Sequence, residues 1–186
     1  MKKLQEIATI QSGVFAKSAV TPNALYLQLS DFNEEGKLRP ETACTVSIVG
    51  KAERHLLSSG DLLLASKGNN NMCIVVPPIQ ERCVASPTFL VIRIHDKQQV
   101  LPEYVAWFLN LPSTRQQLAG KVAKGSAIQS ISISDLTDLQ VALPSIEKQQ
   151  ICIKLAKLQC REQKLYRTIA ELRKKILEYK ITKGIK

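Results

Sequence analysis

Histidine is scarce in this 186-residue chain and cysteine is unpaired. The two imidazoles are His55 and His95, and the five thiols (Cys44, Cys73, Cys83, Cys152 and Cys160) contain no C-x-x-C spacing. A disulfide framework or a zinc site needs paired or ligand-spaced groups, so neither organises this molecule and the thiols read as buried or incidental. No apolar run approaches the roughly 18 residues that span a bilayer. Gln5 and Glu6 interrupt any signal core after the charged start, so a soluble, cytoplasmic chain is expected. The usual marks of an enzyme are also missing. Gly120 and Gly125 frame no phosphate loop, no G-x-S-x-G elbow is present, and Asp61 with Lys67 falls short of a carboxylate cluster for a divalent ion. No catalytic residue, metal or cofactor is expected.

What the chain does have is positive charge, unevenly placed. Its composition, 45% hydrophobic and 23% charged, is that of a globular protein. The net charge is +10, of which residues 1–143 carry +2 and residues 144–186 carry +8. Among the first 143 residues, acids are absent from Leu62 to Gln80, which holds Lys67, and from Tyr104 to Ser134, which holds Arg115, Lys121 and Lys124. Cations without compensating acids attract phosphate, so a polyanionic partner is indicated.

Short apolar runs broken by turn residues fill the front 143 residues, with helical material near the end. Leu25 to Ser30 alternates with period two, Cys44 to Val49 and Met72 to Val76 are further strand candidates, and Leu62 to Ala65 reads as a buried strand because it does not alternate. Thr88 to Ile94 has the strongest β character. Pro102 opens a helix whose apolar side is Tyr104, Val105, Phe108, Leu109 and Leu111, with Trp107 beside them as a core residue. Pro112 ends it, and Ser113 caps a second short helix to Gln117 or Leu118. A loop from Gly120 leads to a β segment at Ile128–Ile133, and Leu139–Leu143 forms a last short strand.

Beyond Pro144 the character changes. No Gly or Pro occurs again until Gly184, and Ile151, Leu155, Leu158, Glu162, Leu165, Ile169, Leu172, Ile176 and Tyr179 recur at alternating steps of four and three. That is a coiled-coil seam over about four heptads. No other segment is long enough to cover it, so a second chain is the expected partner. Glu162 bears on the orientation. Parallel copies would place two Glu162 carboxylates face to face, whereas antiparallel copies align Leu155 with Tyr179, Leu158 with Ile176, Glu162 with Leu172 and Leu165 with Ile169. Glu162 then lies near Arg173 of the other copy, and an antiparallel homodimer is favoured; a Glu162 that merely tilts outward would leave the orientation open.

Several segments, in order, carry a resemblance to a known family. They are Ile10-Gln11-Ser12-Gly13, Ser59-Gly60-Asp61-Leu62-Leu63-Leu64-Ala65-Ser66, Gly125-Ser126-Ala127-Ile128-Gln129-Ser130-Ile131, Leu136 to Val141, and Leu143-Pro144-Ser145-Ile146-Glu147-Lys148-Gln149-Gln150-Ile151 before the heptad helix. This order resembles the target-recognition domain and conserved helical region of specificity subunits from type I restriction–modification enzymes. The resemblance implies an α+β fold, with a mixed-sheet recognition domain at 1–143 and a long dimerisation helix at 144–186. It also implies a non-catalytic chain that reads double-stranded DNA and delivers a methyltransferase subunit, with or without a restriction subunit, to a bipartite target. Any catalytic cofactor would belong to those partners. Full-length members carry two such units in tandem and this chain carries one, so two copies are expected to restore the arrangement. The antiparallel pairing matches what the family's two helices do within one chain.

The residues offered for DNA contact lie in loops. Lys67, Asn69, Asn70 and Asn71 follow a buried strand, and amides suit adenine edges as lysine suits guanine or phosphate. Lys121, Lys124 and Ser126 surround a glycine loop fit for phosphate, and Gln129 and Ser130 stand beside it. Lys17 lies in an earlier loop. For each of these a plain polar turn is the competing reading. Two other functions stay open: a protein–protein adaptor whose basic helix docks an acidic partner, and a DNA-binding helix in which Arg161, Lys164, Arg167 and Lys174 track phosphates.

Overall fold

The leucine run at 62–65 becomes the central strand of the molecule, with all four residues buried. In the computed structural model, which describes all residues except 34, 41, 68–70, 122–129 and 185–186 and only the backbone of 120 and 121, this strand separates two cores. Leu62 and Leu64 face one core, while Leu63 and Ala65 face the other. A strand buried on both faces has no polar phase, which is why the run does not alternate.

Nine strands and five α-helices are described. In order they are β1 (Lys2–Lys3), α1 (Leu4–Ile7), β2 (Ala8–Ser12), β3 (Ala24–Leu27), β4 (Cys44–Val46), β5 (Leu62–Ala65), β6 (Cys73–Val75), β7 (Cys83–Ala85), β8 (Phe89–Ile94), α2 (Pro102–Asn110), α3 (Pro112–Lys121), α4 (Ile133–Thr137), β9 (Gln140–Val141) and α5 (Ile146–Gly184). They form an antiparallel sheet in the order β2-β8-β5-β6, a mixed sheet β4-β3-β7 and the small pair β1-β9. In the mixed sheet β3 runs antiparallel to β4 and parallel to β7.

The layers follow from which side chains meet. Leu62, Leu64, Leu90 and Ile92 pack under α2 to α4 with Val105, Leu109, Leu118 and Leu136. On the other face, Leu63, Phe89 and Val91 meet Leu25, Leu27 and Ala85 of the mixed sheet and Phe32 from the turn after β3, with Phe32 edge-on to Phe89 at 5.9 Å. A third, smaller core of Ala24, Val46, Ile48 and Val84 lies beyond the mixed sheet. The fold is therefore α+β with a mixed sheet, as the sequence predicts, and a 39-residue helix completes it.

Several local expectations need correction. The Leu25–Ser30 strand is shorter, ending at Leu27, because the Asp31 carboxylate accepts the Gln28 N–H at 2.7 Å and turns the chain into a 3-10 helix at Leu29–Asp31. The Cys44–Val49 strand stops at Val46, because the Asn23 side chain takes the Ile48 N–H at 2.8 Å. The helix after Pro112 runs on to Lys121. The β segment at Ile128–Ile133 is not a strand where it is described. Ser130 forms a single bridge, and Ile133 opens α4 because Ser132 caps it, accepting the Asp135 N–H at 3.2 Å while the Asp135 carboxylate accepts the Ser132 N–H at 2.9 Å. A reciprocal cap of this kind outweighs the β preference of isoleucine.

Candidate nucleic-acid interface

Two of the acid-free segments meet at one rim. Lys67 and Ser130 form an isolated antiparallel bridge, and the Ile131 N–H donates to the Ser66 carbonyl at 2.9 Å. The Ser66 N–H and hydroxyl both donate to the Thr88 carbonyl, at 2.9 and 3.0 Å. Within the same turn the Ser86 and Thr88 hydroxyls are 2.6 Å apart. On its other side, Gly13 donates its N–H to Phe89 at 3.0 Å and Val14 donates to Ala85 at 2.8 Å. Only glycine allows that approach, since a Cβ on Gly13 would lie 2.1 Å from the Ser86 carbonyl oxygen. The turn at 86–88 thus ties the loop after Gly13 to the Lys67–Ser130 bridge.

Of the residues offered for DNA contact, Lys17, Lys67 and Ser130 are exposed on these tied segments. Asn71 is half-buried, and its Nδ2 donates to the Ala65 carbonyl at 3.0 Å, closing its own loop. Lys121 ends α3, with its side chain outside what is described. Asn69, Asn70, Lys124, Ser126 and Gln129 lie outside the described residues. The 86–88 turn itself was missed in the sequence, where its only signal was a short Ser-Pro-Thr punctuation.

Helix α5 has two unlike sides. Gln149, Cys152, Ile153 and Ala156 turn toward the body, where Cys152 and Ile153 pack on the main core. Ile151, Leu155 and Leu158 lie about half a turn away around the helix. The apolar seam residues from Ile151 to Tyr179 are 44–60% exposed, and Glu162 is exposed with them. The seam is therefore exposed along its length, with Leu158 also bordering a groove against Leu101 and Glu103 at the start of α2.

The base and middle of α5 are held by polar contacts. Gln149 is completely buried. Its Oε1 accepts the Leu101 N–H at 2.9 Å, and its Nε2 donates to the Gln99 and Pro144 carbonyls at 3.0 and 2.9 Å. Four turns further on, Lys164 meets Glu35 at 2.5 Å, and Lys37 meets the other Glu35 oxygen at 3.1 Å. The hydrogen bond from Lys164, then that from Lys37, holds the Glu35 carboxyl below its usual pKa. Lys174 sits 3.8 Å from Glu178. Two of the four cations that a phosphate-tracking helix would use are therefore engaged within the chain.

The remaining chemistry is structural. Asp61, completely buried, accepts from Arg93 at 2.9 and 2.6 Å and from the Ser58 N–H at 2.8 Å. Burial pushes the Cys73 thiol up to about 12 and Cys83 to about 11. Among the described residues no three His, Cys, Asp or Glu side chains gather in a way that holds a metal ion. No described helix is long and apolar enough to cross a membrane.

No family model and no curated protein matches the chain. Solved structures do. One is a chain from a study of complex assembly and conformational transition of the type I R-M system, at 20% identity and a TM-score of 0.68, covering 93% of this chain and 45% of that one. A second is the HsdS subunit from Thermoanaerobacter tengcongensis, at 20% identity and a TM-score of 0.66, with the same coverage. A third is the type I restriction-modification S subunit from M. genitalium, at 11% identity and a TM-score of 0.55, covering 84% of this chain and 37% of that one. The likeness is one of fold. This chain shares the fold of these S subunits over most of its length and spans less than half of theirs.

Proposed function

We propose that this chain is a half-length specificity subunit. Residues 1–143 read duplex DNA through the rim around Lys17, Lys67 and Ser130, and residues 144–186 pair antiparallel with a second copy. The pair directs a methyltransferase subunit, with or without a restriction subunit, to a bipartite target in the cytoplasm. The chain itself performs no catalysis. The single observation that carries the reading is the seam: an apolar stripe exposed from Ile151 to Tyr179, in a chain with the fold of S subunits more than twice its length. Burying such a stripe requires a helix of equal length, and a second α5 supplies one.

Duplex binding by the full chain, titrated with salt, tests the reading. Each phosphate contact contributes about one to the slope of log K against log salt, so Lys17→Ala with Lys67→Ala reduces the slope by about two. Absence of duplex binding favours a protein–protein adaptor. Loss of all binding on Arg161→Gln with Arg167→Gln, with the loop double variant unaffected, favours a helix that tracks phosphates.

A further inference from the structure

Between Gly13 and Ser18 the chain alternates inward and outward with a composition that burial alone does not explain. Val14 and Ala16 are packed against the third core, and Phe15 and Lys17 point the other way. The larger apolar side chain is the one left outside: Phe15 is 78% exposed. Single exposed apolar residues are common on protein surfaces, so exposure is not enough. What distinguishes Phe15 is the rigidity of its mounting. Val14 is held on both backbone groups, its N–H donating to Ala85 at 2.8 Å and its carbonyl accepting the Tyr26 hydroxyl at 3.1 Å. Beyond Lys17, Ser18 bridges to Val46 and the Ala19 N–H donates to Thr45 at 3.0 Å. The segment is clamped at both ends onto the mixed sheet, and its root is the same 86–88 turn that carries the Lys67–Ser130 bridge.

We propose that Phe15 and Lys17 form a paired reading element for duplex DNA, the ring making apolar contact with base edges in the groove and the ammonium holding an adjoining phosphate. Two residues of extended chain span about 6.6 Å, close to two base-pair steps at 3.4 Å each, so a ring and a cation at this spacing reach a base and a backbone group of one strand. Phenylalanine suits apolar base-edge groups such as the thymine methyl, and lysine suits phosphate without sequence preference. A clamped backbone presents both groups with little ordering cost on binding. The inference rests on the DNA-reading function proposed above and adds a division of labour to it: Phe15 supplies selectivity and Lys17 supplies affinity.

Enrichment of duplexes from a random pool by the full chain, by Phe15→Ala and by Lys17→Ala tests this. The expected result is a defined half-site for the unaltered chain and a half-site with at least one base position no longer fixed for Phe15→Ala. That variant binds the selected duplex about tenfold more weakly, as for the loss of one base reading, with affinity for an unrelated duplex within twofold. Lys17→Ala enriches the unaltered half-site and weakens both duplexes alike. Because the ring lies outside the cores, Phe15→Ala keeps the melting temperature of the unaltered chain. An unaltered half-site and affinity for Phe15→Ala, or equal loss on both duplexes, overturns the pairing. Failure of the unaltered chain to enrich any sequence overturns the DNA-reading function itself.

Discussion

The Gln149 side chain completes a backbone hydrogen-bond pattern that belongs to other segments, accepting from Leu101 and donating to Gln99 and Pro144, all within 3.0 Å. It sets the root of α5 against the start of α2. Gln149→Leu leaves one N–H and two carbonyls without their partner and is expected to cost about 2 kcal/mol. For a chain of this size that lowers the melting temperature by about 4–8 °C. Gln149→Glu, of equal shape, points a carboxylate oxygen at two carbonyls and is expected to melt lower still. Calorimetry on the three chains checks the order.

Asp61 depends on Arg93 in the same way. Its carboxylate is completely buried and receives two hydrogen bonds from the guanidinium, which in turn donates to the Leu56 carbonyl at 2.9 Å. Arg93→Met strands the buried carboxylate with the Ser58 N–H alone and is expected to destabilise by about 3 kcal/mol. Removing both charges, with Asp61→Asn added, is expected to restore some of that loss. A double variant less stable than Arg93→Met alone would contradict this, as denaturant titration measures.

The strands that sequence reading finds are those whose burial is written in their own residues. Phe89 to Ile94 and Leu62 to Ala65 are apolar enough to stand alone. Ala8 to Ser12 is half-exposed and mixed, yet it pairs with β8 over five positions, so its strand character comes from the partner. Cys83 to Ala85 is short and small, and a parallel pairing with β3 makes it a strand. The same division holds at the rim. Lys17 and Lys67 stand out by charge, whereas the outward aim of Phe15 depends on Ala85 and Phe89, which hold the Val14 and Gly13 N–H groups from some seventy residues away in the chain. Gln149 stands in a segment that carries the family resemblance, but its burial is not written there, because its partners at Gln99 and Leu101 are set by packing.

The Glu35–Lys164 pair gives α5 a pH-sensitive brace. The Lys164 and Lys37 hydrogen bonds depress the Glu35 pKa in the folded chain. The stabilisation is therefore present above the unfolded carboxyl value, near 4.3, and is lost as pH falls through the folded value. Glu35→Gln is expected to melt slightly below the unaltered chain at pH 7, with the gap closing below about pH 4. Both groups are exposed, so 1 M salt is expected to close the gap as well. A gap that does not narrow as pH falls below the unfolded carboxyl value would mean that Glu35 acts through its loop instead of its charge.

Leu165 lies nearest the middle of the seam, facing Ile169 of a second copy when pairs sum to 334. Leu165→Asp buries a charge in an apolar layer and is expected to cost several kcal/mol of association. Light scattering at micromolar concentration is expected to report a dimer for the unaltered chain and a monomer for the variant. Glu162→Leu is expected to tighten the pair, since it removes the one charged residue in the seam. A dimeric Leu165→Asp would place the interface elsewhere.

The shape of the DNA target follows from the same pairing. A two-fold dimer would present identical reading surfaces, so the target of the proposed pair is expected to consist of two inverted half-sites. In the antiparallel register, with pairs summing to 334, the two-fold axis falls at position 167 and each Gln149 lies 18 residues from it. At 1.5 Å per residue, the two roots are separated by about 54 Å along the pair. The bodies lean inward from these roots, since Lys164 still touches Glu35 close to the two-fold axis. The half-site centres are therefore expected to lie closer than the roots, no more than about 16 base pairs apart at 3.4 Å each, with an unread spacer between. Deleting one heptad from each α5 within the seam shortens the pair by about 10 Å and is expected to shorten the spacer by about three base pairs. Methylation mapping in cells that express the chain with the methyltransferase subunit proposed as its partner reads both quantities. A single contiguous, asymmetric target would show that one copy suffices, and the antiparallel pair would then have no role in recognition.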